Sequence, residues 1–143
     1  MNYFEECEEI GNKLFLTWAN QTKYFKKMER QPLLSRVDWV CESNNGTIVN
    51  CELKVRNTLK YPSIFIEPSK WNHLISEWKK YKRVPLFINL CNNEVLAFDL
   101  RKVKPTREVE VLIWDGANKC QKMVTRYELE TSKAVKFING IKQ

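Results

Sequence analysis

Three residues in the first half of the chain, Asp38, Glu52 and Lys54, have the types and spacing that suit metal-dependent phosphodiester hydrolysis. Two carboxylates held close together repel, and a hard divalent cation such as Mg²⁺ relieves that repulsion while keeping several of its own waters. Such a cation binds a phosphodiester oxygen and lowers the pKa of an attacking water. A lysine ammonium positions that water or neutralises charge in the transition state. These three residues form the candidate catalytic centre.

A predicted β-hairpin must position these residues. Arg36–Glu42 and Thr47–Arg56 are predicted strands, and an Asn-Gly pair between them favours a tight turn. Side chains alternate along a strand, so Glu52 and Lys54 point to the same face, roughly 6.5–7 Å apart. Folding across the turn brings Asp38 towards Glu52. The hairpin register therefore decides whether the two carboxylates share one cation.

An acidic residue followed two positions later by lysine also arises by chance. Glu77-Trp78-Lys79 is a second instance. It falls in the predicted helix Lys70–Arg83, where positions two apart do not face each other. For Glu52 and Lys54 taken alone, a solvated strand face is the alternative to a catalytic site.

Periodicity and turn residues predict the other elements. A first helix covers about Tyr3–Ala19, and Gln21–Ser35 is either an extension of that helix or a loop. Ser63–Ile66 is a short third strand, and Ser69 is the expected N-cap of Lys70–Arg83. Later strands are predicted at Leu86–Leu90, Val95–Leu100, Glu108–Trp114 and Met123–Leu129. The predicted fold class is α/β, with a central mixed β-sheet flanked by helices.

The segments around the candidate residues resemble the signature of the PD-(D/E)XK nuclease superfamily. They are Arg36-Val37-Asp38-Trp39-Val40 and, after the hairpin turn, Cys51-Glu52-Leu53-Lys54-Val55. Tyr61–Glu67, with Lys70 opening the next helix, is similar to small phage-type and Holliday-junction-resolvase-like members. The resemblance implies a restriction-endonuclease-like core in the order α-β-β-β-α-β.

The implied nuclease core covers about residues 3–90, and extra strands follow over about residues 95–143. The whole chain, residues 1–143, is expected to form a single nuclease domain, since its length is that of one ordinary domain.

The resemblance also implies a role for each residue of the signature. Asp38, Glu52 and the main-chain carbonyl of Leu53 would bind the metal, and Lys54 would be catalytic. The expected cofactor is Mg²⁺, with Mn²⁺ able to substitute. Val37 stands where the superfamily usually has proline, which mildly weakens the match.

Many members add a glutamate from the first helix. The candidates here are Glu5, Glu6, Glu8 and Glu9. A helical wheel at about 100° per residue places Glu8 nearest the apolar arc, flanking Phe4, Gly11 and Phe15. Glu8 is therefore the favoured additional catalytic acid, with Glu9 second. A solvated acidic face near the helix N-terminus is the alternative for each of them.

The formal net charge of +7 favours a polyanionic partner, here DNA. Arg56, Lys60 and Lys70 lie near the candidate site in the sequence and are the predicted phosphate contacts. Ordinary surface positions are the alternative for each. Trp71 and Trp78 share one helical face with apolar neighbours, which favours core packing over base stacking.

The predicted function is that of an endonuclease on DNA, either double-stranded or branched. Five scattered cysteines and strand-sized apolar segments indicate reduced thiols, a cytoplasmic location and no membrane span. A homodimer would suit an enzyme that cuts both strands or resolves a junction. Two alternatives stay open: a non-catalytic nucleic-acid-binding module that keeps a degenerate nuclease fold, and an RNA-cleaving relative.

Overall fold

The computed structural model describes residues 3–143, except for the side chain of Phe4. The prediction that Phe4 belongs to the apolar arc of the first helix therefore falls outside what the structure describes. The α-helices are α1 (Tyr3–Thr22) and α2 (Pro68–Tyr81). The strands are β1 (Phe25–Arg30), β2 (Trp39–Ser43), β3 (Ile48–Val55), β4 (Ser63–Ile66), β5 (Val84–Cys91), β6 (Glu94–Asp99), β7 (Arg107–Asp115), β8 (Cys120–Glu130), β9 (Val135–Ile138) and β10 (Ile141–Lys142).

The central sheet is mixed and has the strand order β1-β2-β3-β5-β6-β9-β10. β3 and β5 are parallel, whereas the other neighbours are antiparallel. A parallel pair needs a long crossover, and β4 with α2 supplies it. α1 lies against β3 and β5, and α2 lies against β5 and β8. The predicted α/β class with a central mixed sheet is confirmed.

The structure corrects two of the sequence predictions, the one for Gln21–Ser35 and the place of the third predicted strand, Ser63–Ile66. Gln21–Ser35 contains β1, which pairs with β2. A bulge between Phe25 and Lys27 interrupts the two-residue alternation, so the half-buried Phe25 and Met28 are three positions apart. That spacing hides the strand from a period-two search. Ser63–Ile66 is a strand as predicted, but it belongs to a second sheet, β4-β8-β7. The short β9 and β10 were likewise not predicted.

The hairpin of β2 and β3 is confirmed. The two strands pair in antiparallel fashion with Trp39 opposite Cys51. Gly46 closes the turn with a φ of 87°, a left-handed conformation that glycine adopts without strain.

The second helix begins earlier than predicted. α2 starts at Pro68, and Glu67 rather than Ser69 is the N-cap residue. The fixed φ of proline suits the first helical position, which explains the shift. The helix ends at Tyr81, because Lys82 adopts a left-handed conformation.

Two apolar cores lie on the two faces of the central sheet. The core on the α1 face includes Phe15, Trp18, Cys51, Ile88 and Leu90. The core on the α2 face includes Ile64, Leu74, Phe98 and Leu129, so it also holds the second sheet against the first. Trp71 packs against the second core and Trp78 against the first, which confirms core packing for both.

All five cysteines are free. Within residues 3–143, no helix has the length and apolar character that crossing a membrane requires.

The first prediction concerns the anchoring of α1. Phe15 is fully buried, and its ring centroid lies 5.0 Å from that of Trp39. Phe15→Ala should lower the free energy of unfolding by about 3–5 kcal/mol, because it removes apolar contact and leaves a cavity. Urea denaturation measures the change. Ile10→Ala, on the same helix but at a side chain 50% exposed, is the control and should cost about 1 kcal/mol or less. Equal losses would contradict this account of α1.

Candidate active site

Side chains of β3 alternate between the two faces of the central sheet. Cys51 lies in the core on the α1 face, whereas Glu52 points to the α2 face and is only 4% exposed. Lys54 lies on the same face as Glu52 and is exposed. A solvated strand face therefore does not describe Glu52, whose carboxyl group is buried.

Asp38 immediately precedes β2 and is bonded to β3 through both its backbone and its side chain. Its N–H donates to the Cys51 carbonyl at 3.1 Å, and its Oδ2 accepts from the Leu53 N–H at 2.8 Å. The hairpin register continues from Trp39 opposite Cys51, which brings Asp38 beside Glu52. The two carboxyl groups are near enough for each to shift the pKa of the other. The structure thus brings Asp38 and Glu52 together, as the hairpin predicts.

Helix α2 adds a basic side chain to the pair of carboxyls. The Nζ of Lys70, in the first turn of α2, lies 2.8 Å from Oε1 of Glu52. Lys70 was predicted to contact phosphate, and the structure pairs it with a candidate metal ligand.

Two further charged residues border the cluster, and sequence reasoning did not assign either to it. Glu67, the N-cap residue of α2, lies 4.0 Å from Arg126 Nη2 through its Oε1. Arg126 comes from β8, in the second sheet. The position of Glu67 could have been found in the sequence, because it directly precedes Pro68, where the helix begins. Arg126 has none, since only the packing of the two sheets places it here.

Burial and charge shift the pKa values of the cluster. Burial, followed by the neighbouring Asp38 carboxylate, raises the pKa of Glu52 to about 7. Burial also raises the pKa of Asp38, although the Leu53 N–H and the Lys70 ammonium oppose that change. Burial and the nearby Arg56 and Lys70 lower the pKa of Lys54. Both carboxyl groups are therefore protonated at higher pH than free carboxyl groups are.

Among the described residues, no hydrogen bond or ion pair joins Glu8 or Glu9 of the first helix to this cluster. Glu8 is half-buried, and within residues 3–143 it makes no hydrogen bond or ion pair. Glu9 accepts a hydrogen bond from Arg30 at 2.9 Å. Helix α1 packs on the face of β3 opposite to Glu52. The catalytic role of Glu8 stays a prediction.

The other predicted phosphate contacts differ in setting. Arg56 is half-buried, and its guanidinium is held by Asn89 and by the Phe65 carbonyl. Lys60 is exposed, and its backbone N–H donates to the Thr58 hydroxyl at 3.2 Å. Arg56 is therefore fixed in place, whereas the Lys60 side chain lies at the surface.

The donors of the cluster suit a hard cation. Asp38 and Glu52 offer carboxylate oxygens. The Leu53 N–H donates a hydrogen bond to Asp38, and the Leu53 carbonyl points from the same edge of β3, towards Asp38. Oxygen-only donor sets favour Mg²⁺ over softer metals. Within residues 3–143, no group of three or more His, Cys, Asp or Glu side chains is arranged to hold a metal ion. A cation at this place would thus rely on two carboxylates, one carbonyl and its own waters.

The chain is similar to a solved structure from an archaeal hyperthermophile, that of Archaeoglobus fulgidus Hjc, a Holliday junction resolvase. The TM-score is 0.56 at 11% sequence identity, and the match covers 86% of this chain and 85% of that one. The matched share is larger than residues 3–90 can supply, so the likeness extends into the C-terminal strands. No family profile and no curated protein matches the sequence. The likeness establishes a restriction-endonuclease-like α/β fold.

The second prediction concerns the pH dependence of stability without metal. The pKa of Glu52 in the folded protein, about 7, lies above its ordinary value of 4.5, so the folded state binds the extra proton. Stability should therefore fall as pH rises from 4.5 to 7, by up to about 3 kcal/mol. Glu52→Gln removes this titration and should flatten the curve.

Urea denaturation across that pH range in EDTA measures the effect, with Glu77→Gln as the control. An unchanged pH dependence in Glu52→Gln would contradict the assignment of this titration to Glu52.

Proposed function

We propose that this protein is a metal-dependent endonuclease that hydrolyses phosphodiester bonds in DNA. The observation that carries the proposal is the Asp38 carboxylate, held by the Leu53 N–H beside Glu52, with Lys54 next on the same strand face. The likeness to a Holliday junction resolvase supports a substrate of double-stranded or branched DNA. The basic net charge of +7 supports a polyanionic partner.

In the proposed mechanism, Asp38, Glu52 and the Leu53 carbonyl would hold Mg²⁺ or Mn²⁺. When bound, the cation would bind a phosphate oxygen and lower the pKa of the attacking water. Lys54 donates a hydrogen bond to that water or to the phosphate and neutralises the charge that develops there. Lys70 offsets the charge of Glu52 and holds its carboxyl in place. Glu8 remains a candidate additional acid.

The proposal extends to the surroundings of the enzyme. The free cysteines support a reducing, cytoplasmic compartment. One nuclease domain over residues 1–143 is supported by the core on the α2 face, which joins both sheets. A homodimer is proposed because cutting both strands, or resolving a junction, requires two cleavage events.

The third prediction tests cleavage directly. Plasmid and branched DNA are incubated with Mg²⁺ and either the wild type, Asp38→Ala or Lys54→Ala. Each variant should lose about a hundredfold or more in rate, because each removes a group that acts on the reacting phosphate. Glu77→Gln and Lys79→Ala are matched controls, since they change the second acid-x-lysine pair, which lies on α2. Equal activity in all five proteins would refute the proposed site. Parallel RNA substrates determine which nucleic acid is cut.

The fourth prediction tests metal binding without turnover. Calorimetric titration with Mg²⁺ or Mn²⁺ should release or absorb heat in the wild type and none in Glu52→Gln, because one of two carboxylate ligands is then neutral. Glu77→Gln is the control, since Glu77 lies on α2 and is not part of the charged cluster. Salt-sensitive DNA binding that is unaffected by either metal would instead support a non-catalytic binding module.

A further inference from the structure

Beside the proposed catalytic centre, Arg56 carries a fixed positive charge without an acidic partner. Its Nε donates to Asn89 Oδ1 at 2.7 Å, and its Nη2 donates to the Phe65 carbonyl at 3.0 Å. Both acceptors are neutral, and among residues 3–143 Arg56 forms no ion pair with a carboxylate. Burial lowers the pKa of Arg56 to about 10, so the guanidinium remains protonated at neutral pH. A held, uncompensated cation of this kind favours an anionic ligand.

Asn89, which accepts the hydrogen bond from Arg56 Nε, holds the guanidinium from the interior of the protein. Asn89 is fully buried, and its Nδ2 has no hydrogen-bond partner. Reversing the amide would turn its NH₂ group towards the guanidinium, so Arg56 fixes the orientation. In the parallel register Asn89 lies beside Lys54. Asn89 thus fixes the position of Arg56 next to Lys54 without neutralising its charge.

A cleft of about 310 Å³ opens beside Arg56. Its lining residues are Tyr3, Val55, Arg56, Asn57, Thr58 and Tyr61. None of them is acidic, and the ring of Tyr61 is 59% exposed. This volume falls within the lower range of small-molecule sites. The cleft thus combines a cation for a phosphate with an aromatic face for a base.

The cleft lies close to Lys54, the proposed catalytic lysine, because Arg56 is one of its lining residues. Arg56 follows Lys54 by two residues in the chain, which places the two roughly 6.5–7 Å apart along the backbone. A nucleic-acid strand whose scissile phosphate lies at Lys54 would continue towards Arg56.

We propose that this cleft binds the nucleotide adjacent to the scissile phosphate in an unstacked form, with its phosphate on Arg56 and its base against Tyr61. The proposal rests on the nuclease function proposed above and narrows its substrate class. An aromatic side chain stacks on a base only when the face of that base is free, as in single strands and at branch points. The enzyme therefore prefers DNA with an unpaired segment over a continuous duplex.

The experiment measures binding in EDTA, where metal-dependent cleavage cannot occur. Fluorescence anisotropy follows a short fluorescein-labelled single-stranded oligodeoxynucleotide and the same sequence as a duplex. Tyr61→Ala should weaken single-strand binding by about tenfold, as expected for one lost stacking contact. Tyr81→Ala is the matched control, because Tyr81 is also an exposed tyrosine (66%) but lies at the far end of α2. It should change affinity by less than about twofold.

A second variant tests the anion contact. Arg56→Gln should reduce the slope of log affinity against log salt by about 0.7, the contribution of one phosphate contact on a single strand. Lys80→Gln, on the last turn of α2, is the control and should leave the slope unchanged. Circular dichroism checks folding. If Arg56→Gln does not fold, the surface variant Tyr61→Ala still decides the question.

The outcomes separate the two proposals. If the wild type cleaves DNA but Tyr61→Ala and Arg56→Gln bind single strands as the wild type does, the nucleotide site is refuted and the nuclease function stands. If both variants lose binding but the wild type never cleaves, the nucleotide site stands and the nuclease function is refuted. Equal dependence on Tyr61 for duplex and single-stranded DNA would overturn the preference for an unstacked nucleotide.

Discussion

The hydrogen bond from the Leu53 N–H to the Asp38 carboxylate is the interaction on which the candidate site depends. β2 begins only at Trp39, so at Leu53 the ladder has no backbone partner from β2. The Asp38 side chain takes the place of that partner and satisfies the Leu53 N–H. Because a side chain bonds to Leu53 where a backbone carbonyl would otherwise do so, the Asp38 carboxyl lies beside that of Glu52. Without it, Asp38 would be held at the sheet by its backbone alone, and its carboxyl would not be fixed beside Glu52.

A charge balance follows from that placement. Two buried carboxyls cost free energy when both ionise, and the surrounding residues are mostly basic. Lys70 contacts Glu52 directly, whereas Lys54 and Arg56 continue the same strand face without carboxylate partners among the described residues. The site therefore has an acidic centre with a basic border on one side. A hard cation at the centre and a phosphate chain along the border would complete both parts.

The sequence predicted the parts of the structure that rest on short-range patterns. Alternation along β3 and the Asn-Gly turn predicted the hairpin and the common face of Glu52 and Lys54. β1 was missed because its bulge sets the inward residues three apart. The second sheet depends on pairing between β4 and β8, which lie far apart in the chain, and no local pattern reveals such a partner. For the same reason Arg126 could not be assigned, and the contact of Lys70 with Glu52 required the packed position of α2.

The site has one part that forms within the β2–β3 hairpin and another that requires the parallel pairing of β3 with β5. Asp38 and Glu52 meet across a hairpin, which closes a short loop at small entropic cost. Lys70 and Asn89 join them only after the crossover through β4 and α2 has formed, and such non-local contacts form slowly. A partly folded chain would therefore hold two facing carboxyls before the lysine that balances them. The ion pair between Glu52 and Lys70 is therefore a marker of the completed crossover rather than of the hairpin alone.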